Sequence, residues 1–172
     1  MADEITMDEL LEEEEDTQKG KYMTFHSGEE AYGIELKYIN EIIGIQPITK
    51  IPEVDKYIKG LINLRGKIIP VIDVRLRFGQ EPLEYTDRTC IIIIQVKNVV
   101  VGLIIEKIEG VVSIDDGNIE PPPTLSAGNS RNHFVYGIGK VEDMVILLLN
   151  PESIIKDEEI ELFEELAESE EE

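Results

Sequence analysis

Side chains suited to nucleophilic or acid–base chemistry are few in this sequence. It contains one cysteine, Cys90, and two histidines, His26 and His133. A Cys–His pair is a common arrangement for activating a thiol, but Cys90 opens the apolar run 90–94, which favours burial over reactivity. We therefore predict that Cys90 is a buried hydrophobic residue and that both histidines lie beside strand ends without a catalytic role.

Oxygen-bearing and glycine-rich motifs suggest two other kinds of site. Asp115, Asp116, Asn118 and Glu120 offer oxygen ligands, but their spacing lacks the bidentate Glu of a calcium hand, so we predict a solvated loop. The GIG motif at 137–139 lacks the third glycine and the helix N-terminus of a dinucleotide site. The sequence also contains no GxxxxGK[ST] phosphate loop. We therefore expect no metal, no cofactor and no catalytic residues.

Charge is concentrated at the two ends of the chain. The 172 residues carry a formal net charge of −21, and 19 of the 37 acidic residues lie in 1–19 and 157–172. Residues 20–156 hold 15 basic and 18 acidic residues and are nearly neutral. We predict a disordered acidic tail at 1–19, a globular unit at 20–156 and an acidic helix or tail at 157–172. Three apolar residues of this last segment are spaced as on one face of a docked helix: Ile160, Phe163 and Leu166.

The charge and hydropathy patterns also exclude some partners and locations. Nucleic-acid binding requires a stripe of Lys and Arg, and the sequence shows none. The first 16 residues are acidic where a signal peptide is basic, and the longest apolar runs of about five residues are too short to span a bilayer. We therefore expect a cytoplasmic protein with no nucleic-acid partner and no membrane insertion.

Side chains of the types that act in catalysis in other proteins are thus scarce here. The pattern of strands and turns carries more information about the function of this chain. The chain has 27 Ile and 12 Val, and β-branched residues of this kind favour strands. Alternating apolar segments between turn residues predict about ten short strands, which favours small closed or half-open barrels. The predicted hairpins join 22–25 to 32–36, 60–64 to 67–73, 90–96 to 99–105 and 134–140 to 144–149.

Five segments between residues 32 and 73 recur together in one known protein family. They are YGIEL at 32–36, NEII at 40–43, ITKIP at 48–52, YIKGLINLRG at 57–66 and IPVID at 69–73. In this order and spacing they resemble the CheW family of chemotaxis coupling proteins. The similarity is dense over residues 21–79 and continues more loosely to residue 149.

The resemblance implies a fold and a function. The implied fold is mainly β, with two five-stranded SH3-like β-barrel subdomains packed on a common hydrophobic core, and with flexible acidic termini. The implied function is that of a scaffold, not an enzyme, which couples methyl-accepting chemotaxis receptors to the histidine kinase CheA. Its expected partners are the cytoplasmic tip of the receptor and the regulatory domain of the kinase, in membrane-associated receptor arrays.

The resemblance also implies which residues bind the receptor. They are Arg65 of the NLRG motif and Glu41, with Ile39 as an apolar neighbour in the same surface. From spacing alone, Arg65 is equally well a solvated turn residue or the partner of a nearby acid. Val111 and Val112 lie on a strand whose faces alternate, so one is predicted to be in the core and the other in a possible groove, and the sequence does not decide which.

Two other functions remain open at the level of the sequence. One is an adaptor with the same fold that serves another signalling kinase. The other is a small β-barrel enzyme that uses Cys90, or Asp115 and Asp116, as reactive groups. Rapid reaction of the Cys90 thiol in the native protein would favour the enzyme.

Overall fold

The structure is a computed structural model that describes residues 19–122 and 134–168. Those residues form eleven strands and three α-helices. The strands are β1 (Lys21–Ser27), β2 (Glu30–Glu35), β3 (Ile39–Gly44), β4 (Ile58–Leu64), β5 (Lys67–Asp73), β6 (Cys90–Val96), β7 (Val99–Ile105), β8 (Lys107–Ser113), β9 (Ile119–Glu120), β10 (Val135–Val141) and β11 (Met144–Leu149). The helices are α1 (Val74–Arg77), α2 (Pro151–Ile154) and α3 (Asp157–Glu168).

Tight turns connect the hairpins that the sequence predicted, and those hairpins are confirmed. Between β4 and β5, Arg65 and Gly66 both have left-handed backbone angles, with φ of 52° and 85°, as the twist of a two-residue hairpin requires. The Asn63 side-chain oxygen accepts the Gly66 backbone N–H at 2.9 Å and so fixes this turn. Lys97 and Glu142 adopt the same left-handed conformation in the β6–β7 and β10–β11 turns.

The strands form two sheets. Sheet one has the order β8-β1-β2-β11-β10-β9, and sheet two has the order β3-β6-β7-β5-β4. Sheet two therefore comes from the middle of the chain, whereas sheet one joins the first two strands to the last four. One parallel pair in each sheet, β2 with β11 and β5 with β7, connects strands that are distant in sequence. In sheet two, a bridge between Thr49 and Leu61 links the segment after β3 to the edge strand β4.

The two subdomains share the largest hydrophobic core. This cluster contains Phe25 and Ile34 from sheet one, Ile92 and Leu103 from sheet two, and residues of α2 and α3. Each sheet also has a smaller core of its own on its other face. The predicted mainly β fold of two subdomains on a common core is confirmed, and the two-residue β9 is a sixth strand in sheet one.

Strand β6 explains how one apolar run serves two cores. Ile91, Ile92, Ile93 and Ile94 are all buried. Ile92 and Ile94 enter the shared core, whereas Ile91 and Ile93 enter the smaller core of sheet two. Because successive side chains of a strand point to opposite faces, an uninterrupted run of isoleucines indicates a strand that is covered on both sides.

Two positions differ from their predicted environments. Cys90 is half-buried instead of buried, because it begins β6 at the end of the sheet, where its sulfur lies 3.2 Å from the Arg88 carbonyl oxygen. Because proline cannot donate to a ladder, it is typical of edge strands and bulges, but Pro70 lies in β5, between β4 and β7. The pairing of β5 with β7 begins only at Val71, which leaves Pro70 outside that ladder.

The C-terminal segment packs onto the shared core. Ile160 and Phe163 of α3 are buried there, and Leu166 packs against the same cluster, as their helical spacing predicted. The predicted acidic tail falls almost entirely on residues 1–18, which lie outside the described residues, as do His133 and residues 169–172.

Candidate functional site

Arg65 and Glu41 form an ion pair on the surface of sheet two. The two terminal nitrogens of Arg65 each donate to a different carboxylate oxygen of Glu41, both at 2.8 Å. The Arg65 side chain is 71 % exposed and that of Glu41 is 32 % exposed. Hydrogen bonding to Arg65 holds the pKa of the Glu41 carboxyl below its ordinary value, and Glu41 raises the pKa of Arg65. Both groups are therefore charged at neutral pH.

Two different elements place this pair. Arg65 occupies the left-handed turn between β4 and β5, and Glu41 lies on β3, at the opposite edge of sheet two. The two edge strands approach each other at this end of the subdomain, and the bidentate geometry connects them. Such a planar two-bond arrangement is specific to arginine, so lysine at position 65 would not reproduce it.

A bulge in β3 separates Ile39 from Glu41. Ile39 pairs with Ile94 and Glu41 pairs with Ile93, and the register shifts between them. Ile39 therefore packs against the shared core, whereas Glu41 lies on the other face with Arg65. The structure brings Arg65 and Glu41 together, and it places Ile39 on the opposite face of the same strand.

The ion pair lies in a groove of about 590 Å³, a size within the range of ligand clefts. The walls of this groove come from β3, the β4–β5 hairpin, the start of β7 and the last turns of α3. Leu64 and Phe163 supply part of its apolar lining, and Lys67 lies at its side. The sequence did not predict the contribution of α3, although the helical spacing of its apolar residues indicated that the helix would dock.

Strand β8 resolves the ambiguity between the two valines. Val112 packs against the small core of sheet one, whereas Val111 is 51 % exposed. Val111 pairs with Met23 of β1, and Met23 belongs to the shared core. Val111 is thus the exposed residue of the two, on the face of the edge strand β8 that Met23 shares and outside the groove that contains Arg65.

The other candidate groups lie outside the groove that contains Arg65. His26 Nδ1 lies 3.0 Å from Glu109 Oε1 in a surface contact. Asp115 and Asp116 are exposed beside a 3₁₀ turn, and within residues 19–122 and 134–168 no group of three or more His, Cys, Asp or Glu side chains is placed to hold a metal ion.

The two glycines of the GIG motif lie in β10. A β-carbon on Gly139 would lie 2.7 Å from the Ile114 side chain, and one on Gly137 would lie 3.0 Å from Ile119. These glycines therefore allow close packing between neighbouring segments of sheet one.

Comparisons with known proteins agree with this architecture. The model of the CheW-like domain matches residues 21–159. The chain is 30% identical over 149 residues to a chemotaxis protein CheW of Klebsiella aerogenes, covering 87% of this chain and 89% of that protein. It is 32% identical over 139 residues to a chemotaxis protein CheW of Rhizobium meliloti, covering 81% and 89%.

A solved structure shows the same fold. The crystal structure of the scaffolding protein TtCheW from Thermoanaerobacter tengcongensis superimposes with a TM-score of 0.73 at 37% identity, covering 80% of this chain and 92% of that one. In the part of the chain that the structure describes, no helix is long and apolar enough to cross a membrane. The family-model match over most of the chain, the relatives and the shared fold show that this chain belongs to the CheW family.

Proposed function

We propose that this protein is a chemotaxis scaffold that couples methyl-accepting receptors to the histidine kinase CheA, and that it is not an enzyme. Family membership and the likeness to a protein described as a scaffold support this function. The observation that carries it is the exposed Arg65–Glu41 pair in the groove, at the two positions that the resemblance connects with receptor binding.

The geometry of the pair favours recognition over stabilisation. Exposed ion pairs contribute little to folding because water and salt screen them, and Arg65 is largely solvated. Glu41 uses two of the five N–H donors of the guanidinium, so three donors and the planar face remain for a partner. An arginine held in one orientation loses less entropy on binding, which is typical of an interface anchor.

We propose Arg65, Glu41 and Ile39 as receptor-binding residues, with Val111 as a further apolar contact. Val112 is committed to the small core, so we do not include it. Ile39 lies on the other face of β3, so it would contact the receptor where it packs against the shared core. Val111 would contact the receptor on the face of β8 that it shares with Met23 of that core. The kinase would bind a separate surface, because one molecule must hold both partners at once.

We also propose the setting in which the scaffold acts. Residues 20–156 would carry the proposed receptor-binding side chains, and the acidic segments 1–19 and 157–172 would lie on either side of them in the sequence. The strongly acidic sequence, with a net charge of −21, disfavours nucleic acid as a partner. A cytoplasmic location at receptor arrays, without insertion into the membrane, fits both expected partners.

The test is co-purification from the source cells with a tagged chain and its Arg65→Ala variant. The wild-type protein should recover both the receptors and CheA. Arg65→Ala should weaken binding of a purified receptor cytoplasmic fragment by about tenfold or more, as truncation of an interfacial arginine does. CheA binding and the unfolding midpoint should not change.

A matched control is Arg88→Ala, which removes an exposed arginine outside the groove. This variant should keep full affinity for the receptor. Recovery of a different kinase without receptors would contradict the proposal and favour an adaptor in another pathway. Equal loss of both partners with a lower unfolding midpoint would show that the ion pair is structural.

A further inference from the structure

Helix α3 forms part of the groove that holds the ion pair. Phe163 and Ala167 line this groove together with Arg65 and Glu41. Phe163 is 2 % exposed and fixed in the shared core, whereas Ala167 is exposed near the end of the helix. The match to the CheW-like domain ends at residue 159, so this wall of the groove lies beyond the residues that define the family.

Polar contacts at the first turn of α3 hold the helix in place. The Tyr57 hydroxyl donates to the buried carboxylate of Glu159, and the other oxygen of Glu159 accepts the Lys156 backbone N–H at 2.9 Å. Lys97 pairs with Asp157 at 3.2 Å. These contacts join α3 to sheet two, so the groove wall has a defined position before any partner binds.

The charges in the groove favour an acidic group on its occupant. Glu41 neutralises Arg65, and Lys67 has no carboxylate partner among the residues that the structure describes. The groove therefore carries one uncompensated positive charge in a chain with a net charge of −21. A carboxylate near Lys67 would gain a favourable interaction that most of the surface does not offer.

We infer that α3 is the outer wall of the receptor-binding groove, and that the groove takes one amphipathic helix of the receptor with a carboxylate directed at Lys67. This inference rests on the proposed function. An apolar floor between charged sides is the arrangement by which grooves bind helices. The small side chain of Ala167 leaves room for such a helix, so position 167 controls which receptor helices fit.

The first experiment fills the groove from the side of α3. Ala167→Trp should weaken binding of a purified cytoplasmic receptor fragment from the same organism by tenfold or more, without affecting binding of the CheA regulatory domain. Glu158→Trp is the control, because nine helical positions place residue 158 about 180° around α3 from residue 167. Its affinity for the receptor fragment should stay within twofold of the wild type.

The outcomes separate this inference from the proposed function. If Arg65→Ala weakens receptor binding and Ala167→Trp does not, α3 is not a wall of the receptor-binding groove, and the proposed function stands. If neither variant affects receptor binding, the proposed receptor surface is itself wrong. If Ala167→Trp weakens binding of the receptor and the kinase equally, α3 has no specific role at the receptor.

A second measurement avoids a bulky substitution. Cys90→Ser removes the one native thiol, and Ala167→Cys in that background carries a benzophenone photocrosslinker. Crosslinking of the Ala167→Cys protein to the receptor fragment, without crosslinking of the Glu158→Cys protein, supports the inference. Crosslinking of the Ala167→Cys protein to the kinase, or to neither protein, overturns it.

A charge reversal tests the carboxylate expected near Lys67. Lys67→Glu should weaken receptor binding more at low salt than at high salt, and an unchanged affinity would show that no receptor carboxylate lies near Lys67.

Discussion

Removing the Tyr57 hydroxyl should loosen α3 from the shared core. Glu159 is only 7 % exposed, and the Tyr57 O–H donates to one of its carboxylate oxygens. Asp55 is a second, more distant acceptor at 3.1 Å, but one hydroxyl donates one proton. Tyr57→Phe therefore leaves a buried carboxylate with the Lys156 N–H as its remaining donor.

The magnitude follows from the charge and burial of Glu159. A hydrogen bond to a charged group contributes about 1.5–3 kcal/mol, and we take about 2 kcal/mol. For a chain of this size each kcal/mol lowers Tm by about 2–4 °C, so Tyr57→Phe should lower Tm by about 4–8 °C in a thermal scan by circular dichroism.

A double-mutant cycle decides whether the hydroxyl acts through Glu159. Tyr57→Phe and Glu159→Gln should together cost clearly less than the sum of the two single variants. Tyr38→Phe is the matched control, because it deletes the hydroxyl of a half-buried tyrosine that has no carboxylate partner among the described residues. An unchanged Tm for Tyr57→Phe, or strictly additive losses, would refute the reasoning.

Two further outcomes follow from packing and from tyrosine ionisation. Gly102→Ala should lower the free energy of unfolding by about 1–3 kcal/mol in urea, because its β-carbon would lie 2.7 Å from Ile91 and 2.9 Å from Val71. Gly44→Ala, which meets no atom within 4 Å, should leave the urea midpoint in place, and equal midpoints for both variants would contradict the packing argument. Burial, and then the hydrogen bond to Glu159, raise the pKa of Tyr57 above its ordinary value of 10.0. As the pH rises, the unfolded chain therefore loses this proton before the folded protein does, so the free energy of unfolding should be level below about pH 9 and fall above about pH 10. The fall should be less steep in Tyr57→Phe. An equal fall of the free energy of unfolding with pH in that variant would contradict the argument.

The strands and turns followed from the sequence because their signals are local. Alternating apolar residues fix which face of a strand is buried, and Arg65-Gly66 and Lys97-Asn98 supply residues that tolerate tight turns. The assignment of strands to sheets was not local. The two ends of the chain meet in sheet one through the parallel pair of β2 and β11, which no periodicity indicates, and the two-barrel arrangement came from the family resemblance.

The two residues of the ion pair were predictable from the sequence, but the geometry of the site and the contribution of α3 were not. The motifs identified Arg65 and Glu41, and the open question of whether Arg65 has an acidic partner is answered by Glu41 itself. The resemblance implied that Ile39 is an apolar neighbour in the same surface, whereas the bulge between Ile39 and Glu41 places their side chains on opposite faces of β3. A bulge depends on pairing with β6, so the sequence of β3 alone cannot show it.

The way the two sheets share one core bears directly on coupling. Side chains of both sheets belong to one common buried cluster. Tightly packed interiors deform little, so the relative positions of the two sheets are fixed by the fold. A receptor bound at the proposed surface would therefore be held at a defined distance and angle from a kinase bound at a separate surface. For a protein that would act by holding two others together, this rigidity is itself the mechanism.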